Sequence, residues 1–241
     1  TSVAPFLRGY GETGSAPDGK YDPVRLSRDA IGLAREIGGE EMVLVGHDWG
    51  ALAGYAAANL APKQFSRIVA MALPPPRVLL RNLLRHPRQL RRSWYISFFQ
   101  LPWIPERLLA RDDFAFLERL WRDWSPGWNL PAGRIASVKR TFRAPSTVGA
   151  ALAYYRALMR GAISNREDYR TSLRICLAPI ETPTLVLAGR NDGCMGLEVF
   201  EGLDRAFRGP FAFEVVEDAG HFMHLEQPER VGRLILEFLE A

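Results

Sequence analysis

The stretch Val43–Gly54, VLVGHDWGALAG, passes from aliphatic and β-branched residues through a glycine into an alanine-rich segment. The first half reads as a buried strand and the second as a helix, with only a few residues to turn the chain between them. Asp48 stands at the apex of that turn. An aspartate there can cap the first turn of the helix, or it can present a carboxylate above the sheet to a pocket. Gly46 and Gly50 flank it in the spacing small, x, nucleophile, x, small. A side chain held on so sharp a turn needs neighbours without Cβ bulk, so both glycines are expected to be steric requirements. His47 is expected to point away from any pocket.

Outward from this turn the pattern alternates between strands and helices. Residues 2–7 (SVAPFL), 42–46 (MVLVG) and 67–73 (RIVAMAL) have strand character, and 27–38 and 51–61 have helical character. Such alternation predicts an α/β fold, a mostly parallel sheet with helices on both faces. Pro74, Pro75 and Pro76 end it. About a hundred residues rich in Leu, Arg and aromatics at helical spacing follow, and they read as an all-helical insertion. After Pro183 the strand signal returns in TLVLAG (184–189), followed by a helical EVFEGLDRAF (198–207), a strand FAFEVV (211–216) and a last helix from about Pro228. The expected division is core residues 1–75, an inserted helical unit at 76–180, and core residues 181–241.

At 241 residues and 47% hydrophobic composition the chain can bury a full core, and one domain with an insertion accounts for its length. There are 31 basic and 27 acidic residues, a net charge of +4, and the arginines are dispersed without a basic tract, which argues against nucleic acid as a partner. Cys176 and Cys194 form neither a disulfide framework nor a metal-ligand spacing, so no metal is expected from the sequence. With no signal-peptide pattern at Thr1, a reducing, cytoplasmic compartment is the expectation. No apolar run has the length of a membrane span. The oligomeric state is not encoded in any of these features.

The residues that would make Asp48 reactive come later in the chain. TLVLAGRND places Asp192 just past a strand, and VVEDAGHFMHLEQP places His221 in the loop after the next. The order nucleophile, acid, histidine is one that a strand–turn–helix nucleophile uses. In such a set His221 takes a proton from water, while Asp192 fixes its tautomer and stabilises the imidazolium. A serine at the apex would serve acyl transfer. An aspartate attacking an sp³ carbon gives an alkyl ester that water can cleave, where serine would give an inert ether. Alone, Asp48 is equally well a helix cap, Asp192 a turn residue beside Gly193, and His221 a loop histidine; the coincidence of all three in order argues for catalysis. His224 reads as structural or as rim.

On GHDWG, GRND and AGHFMHLEQPERV the chain resembles α/β-hydrolases of the epoxide hydrolase branch, and RGYGETGSAP (8–17) fits the stretch after that family's fourth strand. The resemblance covers nearly the whole chain and implies that the helical insertion is a cap over the core. It also implies a pair of cap tyrosines: Tyr95 in RSWYISFFQLP and, through the Tyr-Arg step, Tyr155 in GAALAYYRALM. Phenols, with pKa near 10, can hydrogen-bond and then protonate the oxygen of an opening oxirane. Tyr154 reads as packing, as do Trp121, Trp124 and Trp128. The arginines at 77, 81, 85, 88, 91 and 92 fall at helical steps and read as one solvated basic face, with membrane association a minor alternative.

The family pattern has three strands and a His-Gly-x-Pro loop before the segment that here is SVAPFLRGYG, and none precedes Thr1. The expectation is an N-terminally truncated piece in which the Trp49 N–H alone holds the tetrahedral intermediate, the loss of one such donor costing about 3 to 4 kcal/mol. Phe6 occupies a position where relatives tend to have aspartate. The resemblance implies hydrolysis of a small apolar epoxide to a 1,2-diol without cofactor or metal. A haloalkane dehalogenase would share Asp48 and His221 and use the Trp49 indole for the halide, and a non-catalytic protein could keep the fold.

Overall fold

The computed structural model of the chain describes residues 1–38, 42–164 and 166–241. Among them a parallel sheet runs β1 (Met42–His47), β2 (Phe65–Met71), β3 (Thr184–Gly189), β4 (Phe211–Val216), in that spatial order. Helix α1 (Pro23–Ile37) starts where Asp22 accepts hydrogen bonds from the Val24 and Arg25 amides and Pro23 takes the first helical position. It lies against α2 (Trp49–Leu60). That helix covers one face of the sheet.

Side chains alternate across a strand, so β2 and β3 each feed two cores. Ile68, Ala70, Val186 and Ala188 face α2 with Ala51, Leu52 and Tyr55. Val69, Met71, Leu185 and Leu187 face the opposite way, toward Val231 and Leu234 of α12 (Pro228–Glu240). Both faces of the central strands are therefore dry, which is why they read as continuous apolar runs. Between β2 and β3 the chain forms α3 (Pro76–Leu83), α4 (Pro87–Arg92), α5 (Trp94–Phe98), α6 (Ile104–Ala110), α7 (Ala115–Trp124), α8 (Ala132–Phe142), α9 (Thr147–Ser164) and α10 (Arg166–Cys176). A short helix, α11 (Met223–Glu226), precedes α12.

Three sequence expectations are corrected. Residues 2–7 form no strand; a strand needs a ladder partner for its backbone groups, and this segment has none among the described residues. Residues 198–207 are not one helix but two short 3₁₀ turns, Leu197–Phe200 and Leu203–Ala206, broken where Gly202 takes left-handed φ 75°. The six arginines do not form one helical face. Arg77 and Arg81 lie on α3, Arg85 in the turn after it, and Arg88, Arg91 and Arg92 on α4, with Arg92 drawn inward to Glu198 at 2.6 Å.

No described helix is long and apolar enough to cross a membrane. Tyr154 is fully buried, its hydroxyl donating to the Arg8 carbonyl at 2.6 Å, and its ring packs against Tyr10, Tyr21 and Trp49 as a structural residue.

Candidate active site

The turn after β1 holds Asp48 at φ 51°, ψ −111°, a left-handed conformation that costs a non-glycine residue energy and that the surrounding packing must impose. Its amide donates to the Met71 carbonyl at 3.0 Å, locking the apex to the end of β2. A Cβ on Gly46 would fall on the Gly50 carbonyl, so the approach of strand to helix demands glycine there. At Gly50 a Cβ would meet nothing within 4 Å, which corrects the reading of that glycine as sterically required. Gly46→Ala is expected to destabilise the fold by about 1 to 3 kcal/mol through overpacking. Gly50→Ala should stay within about 0.5 kcal/mol of wild type. Urea unfolding of the two variants compares them directly.

The three residues drawn from the two halves of the core converge. The His221 Nε2 lies 3.3 Å from Asp48 Oδ2, and its Nδ1 lies 2.9 Å from Asp192 Oδ2. Asp192 and His221 are buried, whereas the Asp48 side chain is 25% exposed and so is the member a ligand can reach. Asp192 is held on its other oxygen, Oδ1, by the Cys194 and Met195 amides at 2.6 and 2.8 Å. Asp48 Oδ1 accepts the Trp49 amide at 2.7 Å. The carboxylate thus also serves as the cap of α2, so the capping and pocket-facing readings are both satisfied by one side chain.

Electrostatics follow from this arrangement. Burial would lower the pKa of His221, but the two carboxylates outweigh it and raise it to about 10. Burial would raise that of Asp48, but the hydrogen bond and charge of His221 outweigh it and hold the carboxyl below its usual range. At neutral pH the pair is imidazolium and carboxylate. His47 does not turn away. Its Nε2 lies 2.9 Å from the His221 carbonyl and its ring lies 4.8 Å from that of His221, while burial and its histidine neighbours push it down to about 3, keeping it neutral. His224 packs on His47 with ring centroids 4.6 Å apart.

A cavity of about 390 Å³ opens over Asp48, with Phe6, Trp49, Phe142, Tyr155 and His221 in its walls along with Leu117, Leu152 and Trp121. It is mostly apolar. Tyr155 is in the wall, its ring edge-on to the Trp49 indole at 5.2 Å. Tyr95 is not among the described lining residues; it is buried with its ring 5.7 Å from that of Tyr155 and its hydroxyl 3.2 Å from Cys194 Sγ. Burial raises both phenols well above 10, and the negative charge of Asp48 adds to the effect on each, so both remain protonated.

Several positioning groups were not readable from the sequence. The Trp124 carbonyl accepts the amides of both Gly193 and His221, at 3.0 and 3.1 Å, and so joins α7 to the acid and histidine loops. Beside it, buried Ser125 donates to Glu226 at 2.7 Å and accepts the Phe222 amide at 3.2 Å, while Glu226 accepts the Gly220 amide at 2.9 Å. Trp121 stacks on Phe222 at 3.9 Å, so the tryptophans pack the histidine loop as well as the helices. No spacing pattern joins Ser125 to a residue 101 positions away. Ser125→Ala leaves Glu226 and the Phe222 amide each short of a partner. The expected loss is about 1 to 3 kcal/mol in denaturant unfolding, with a fall in turnover greater than any change in KM.

The Alpha/beta hydrolase family pattern matches residues 2–234. The chain is 32% identical over 244 residues to "Epoxide hydrolase 4" of Homo sapiens, covering 99% of this chain and 64% of that protein. It is 29% identical over 272 residues to "Epoxide hydrolase A" of Mycobacterium tuberculosis, covering 98% of this chain and 81% of that one. Among solved structures it superposes on a Bacillus megaterium epoxide hydrolase bound to an inhibitor with a TM-score of 0.80 at 26% identity, over 98% of this chain and 82% of that chain. The chain spans less than two thirds of the length of the human relative. With a parallel sheet, a strained turn between β1 and α2, and a match over nearly every residue, the chain belongs to the alpha/beta hydrolase family, on the side of its epoxide hydrolase-like members.

Proposed function

We propose that the protein converts an epoxide to a 1,2-diol through an alkyl ester on Asp48. The observation that carries this reading is a carboxylate, not a hydroxyl, on the strained turn, with His221 3.3 Å from it and backed by Asp192 at 2.9 Å. Asp48 Oδ2 attacks an oxirane carbon, the C–O bond breaks, and a phenol protonates the departing oxygen, which stays in the product as a hydroxyl. Tyr155 in the cavity wall and Tyr95 behind it are the donors. For Tyr95 this needs its O–H to rotate from Cys194 toward the substrate.

Alkylation itself then prepares the second step. Once Asp48 is a neutral ester, one of the two anions that raise His221 is gone, so the imidazolium can pass its proton to the phenolate left by the first step, and the neutral imidazole then accepts one from water. Water adds to the ester carbon, and negative charge develops on Oδ1, the atom the Trp49 amide already holds; collapse then breaks the bond from that carbon to Oδ2, and the leaving oxygen takes the remaining proton of the added water, which releases the diol and restores the carboxylate. Trp49 therefore acts through its backbone at the intermediate and through its indole in the wall.

Residues 76–180 serve in this reading as a cap over core residues 1–75 and 181–241, supplying both tyrosines and the apolar walls that fit a small apolar epoxide. No cofactor enters these steps. The free, buried Cys176 and Cys194 fit a reducing, cytoplasmic setting. Haloalkane dehalogenation would use the same Asp48 and His221, but halide leaves without a proton and would give two phenols no task. The test is to offer the full-length protein a panel of epoxides and haloalkanes. Diol from the epoxides is expected; halide release without diol would overturn the reading.

A further inference from the structure

We propose that Asp48, His221 and Cys194 form a binding site for a thiophilic divalent cation of the Zn²⁺ type, and that its occupation shuts off the nucleophile. One ligand atom from each, a carboxylate oxygen, an imidazole nitrogen and a thiol sulfur, lie within 4.8 Å of one another. Carboxylate, imidazole and thiolate are the ligand types zinc takes, and three of them plus one open position is the composition of a zinc site that also binds water.

The geometry is close to what the metal needs. Bonds of about 2.0 to 2.1 Å from zinc to nitrogen and oxygen in a tetrahedron set those ligands roughly 3.3 to 3.4 Å apart. His221 Nε2 and Asp48 Oδ2 are 3.3 Å apart. A zinc–sulfur bond of about 2.3 Å sets the sulfur roughly 3.6 Å from the other two ligand atoms, and Cys194 Sγ already lies within 4.8 Å of both. The surroundings are also those of a metal site. The other ring nitrogen of His221 is bound to Asp192 at 2.9 Å, the carboxylate–histidine arrangement that orients a metal-ligating imidazole. Tyr95 places its hydroxyl 3.2 Å from the sulfur, where it can donate to a thiolate. Asp48 faces the cavity, which gives an entry path and a place for the fourth ligand.

The ring lies between two carboxylates, Asp48 at Nε2 and Asp192 at Nδ1, which favour positive charge at this position. Cys194 lies two residues beyond Asp192 in sequence, far from the other two ligands, so no spacing motif signals this site.

Metal binding does not depend on the substrate. The test uses Co²⁺ and Zn²⁺ on the full-length protein after treatment with a chelator. Co²⁺ should bind with one-to-one stoichiometry and give a near-ultraviolet thiolate-to-metal band with visible bands of tetrahedral type, and Zn²⁺ should displace it. Cys194→Ser, which keeps the side chain's shape, should lose the charge-transfer band and weaken Zn²⁺ binding by about tenfold or more. Where an epoxide substrate is in hand, Zn²⁺ should block alkylation of Asp48 in wild type and a chelator should restore it. Co²⁺ bound without a thiolate band, or equal Zn²⁺ affinity in wild type and Cys194→Ser, would overturn the proposal. Because the spectra need no turnover, they decide the metal site even if the epoxide reading fails.

Discussion

Replacing His221 with Gln in the full-length protein is expected to lower steady-state turnover by about four orders of magnitude and to leave an alkylated enzyme behind. The first step needs only the Asp48 anion, an oxirane carbon and a proton donor. The second needs a base for water, and among the described residues at the site His221 is the group placed to serve. His47 is held neutral, but its Nε2 is occupied by the His221 carbonyl at 2.9 Å, so it cannot substitute. Intact-mass spectrometry after a single exposure should show a mass increase equal to the whole epoxide, because the oxirane oxygen stays on the adduct as a hydroxyl. A haloalkane would add only its alkyl group. Peptide mapping should place the adduct on Asp48.

The variant should also acquire a pH dependence that wild type lacks in its first step. His221 holds Asp48 below the usual carboxylate range against burial, which pushes the other way. Without the imidazolium, burial prevails and the folded-state pKa rises. Adduct formation by His221→Gln should therefore slow as pH falls, while the first step of wild type stays flat. An adduct on another residue, or turnover at the wild-type rate, would remove Asp48 and His221 from these roles.

The parts of this site that could be read from sequence are those fixed by local backbone chemistry. A strand that must reverse into a helix within a few residues leaves its mark in Gly46, and Asp192 and His221 follow their strands at β–α junctions, where a parallel sheet gathers its loops. Gly50 carried the same symbol without the same constraint, because the Cβ clash depends on which atoms lie across the turn. Gly202 was the opposite case: the helical spacing around it was real, but one residue in left-handed conformation broke the segment in two. The contacts among Trp124, Ser125, Glu226 and the histidine loop, and the meeting of Tyr95 with Cys194, join residues far apart in the chain. They depend on how the helices between β2 and β3 settle on the core, and no pattern along the sequence records that.

Removing the tyrosine hydroxyls should separate the two chemistries that share an aspartate nucleophile. Tyr155→Phe is expected to slow alkylation by an epoxide about 10² to 10³-fold, the effect of deleting one transition-state donor in a dry site. Tyr95→Phe should fall in the same range, with a separate structural signature from loss of its Cys194 contact. In the proposed mechanism the two phenols address one oxygen, so the double variant should depart from the product of the single effects. A bromoalkane offered to the same variants should react at a nearly unchanged rate, if it reacts with wild type, since bromide leaves as an anion without a proton. Pre-steady-state alkylation rates for both substrate classes make the comparison free of the later hydrolysis step. Burial and the charge of Asp48 keep both phenols protonated, so the contrast should persist across the neutral range and not depend on the chosen pH. Epoxide alkylation that survives unchanged in the double variant would dismiss the phenols as proton donors. It would leave Asp48 serving a leaving group that needs no proton.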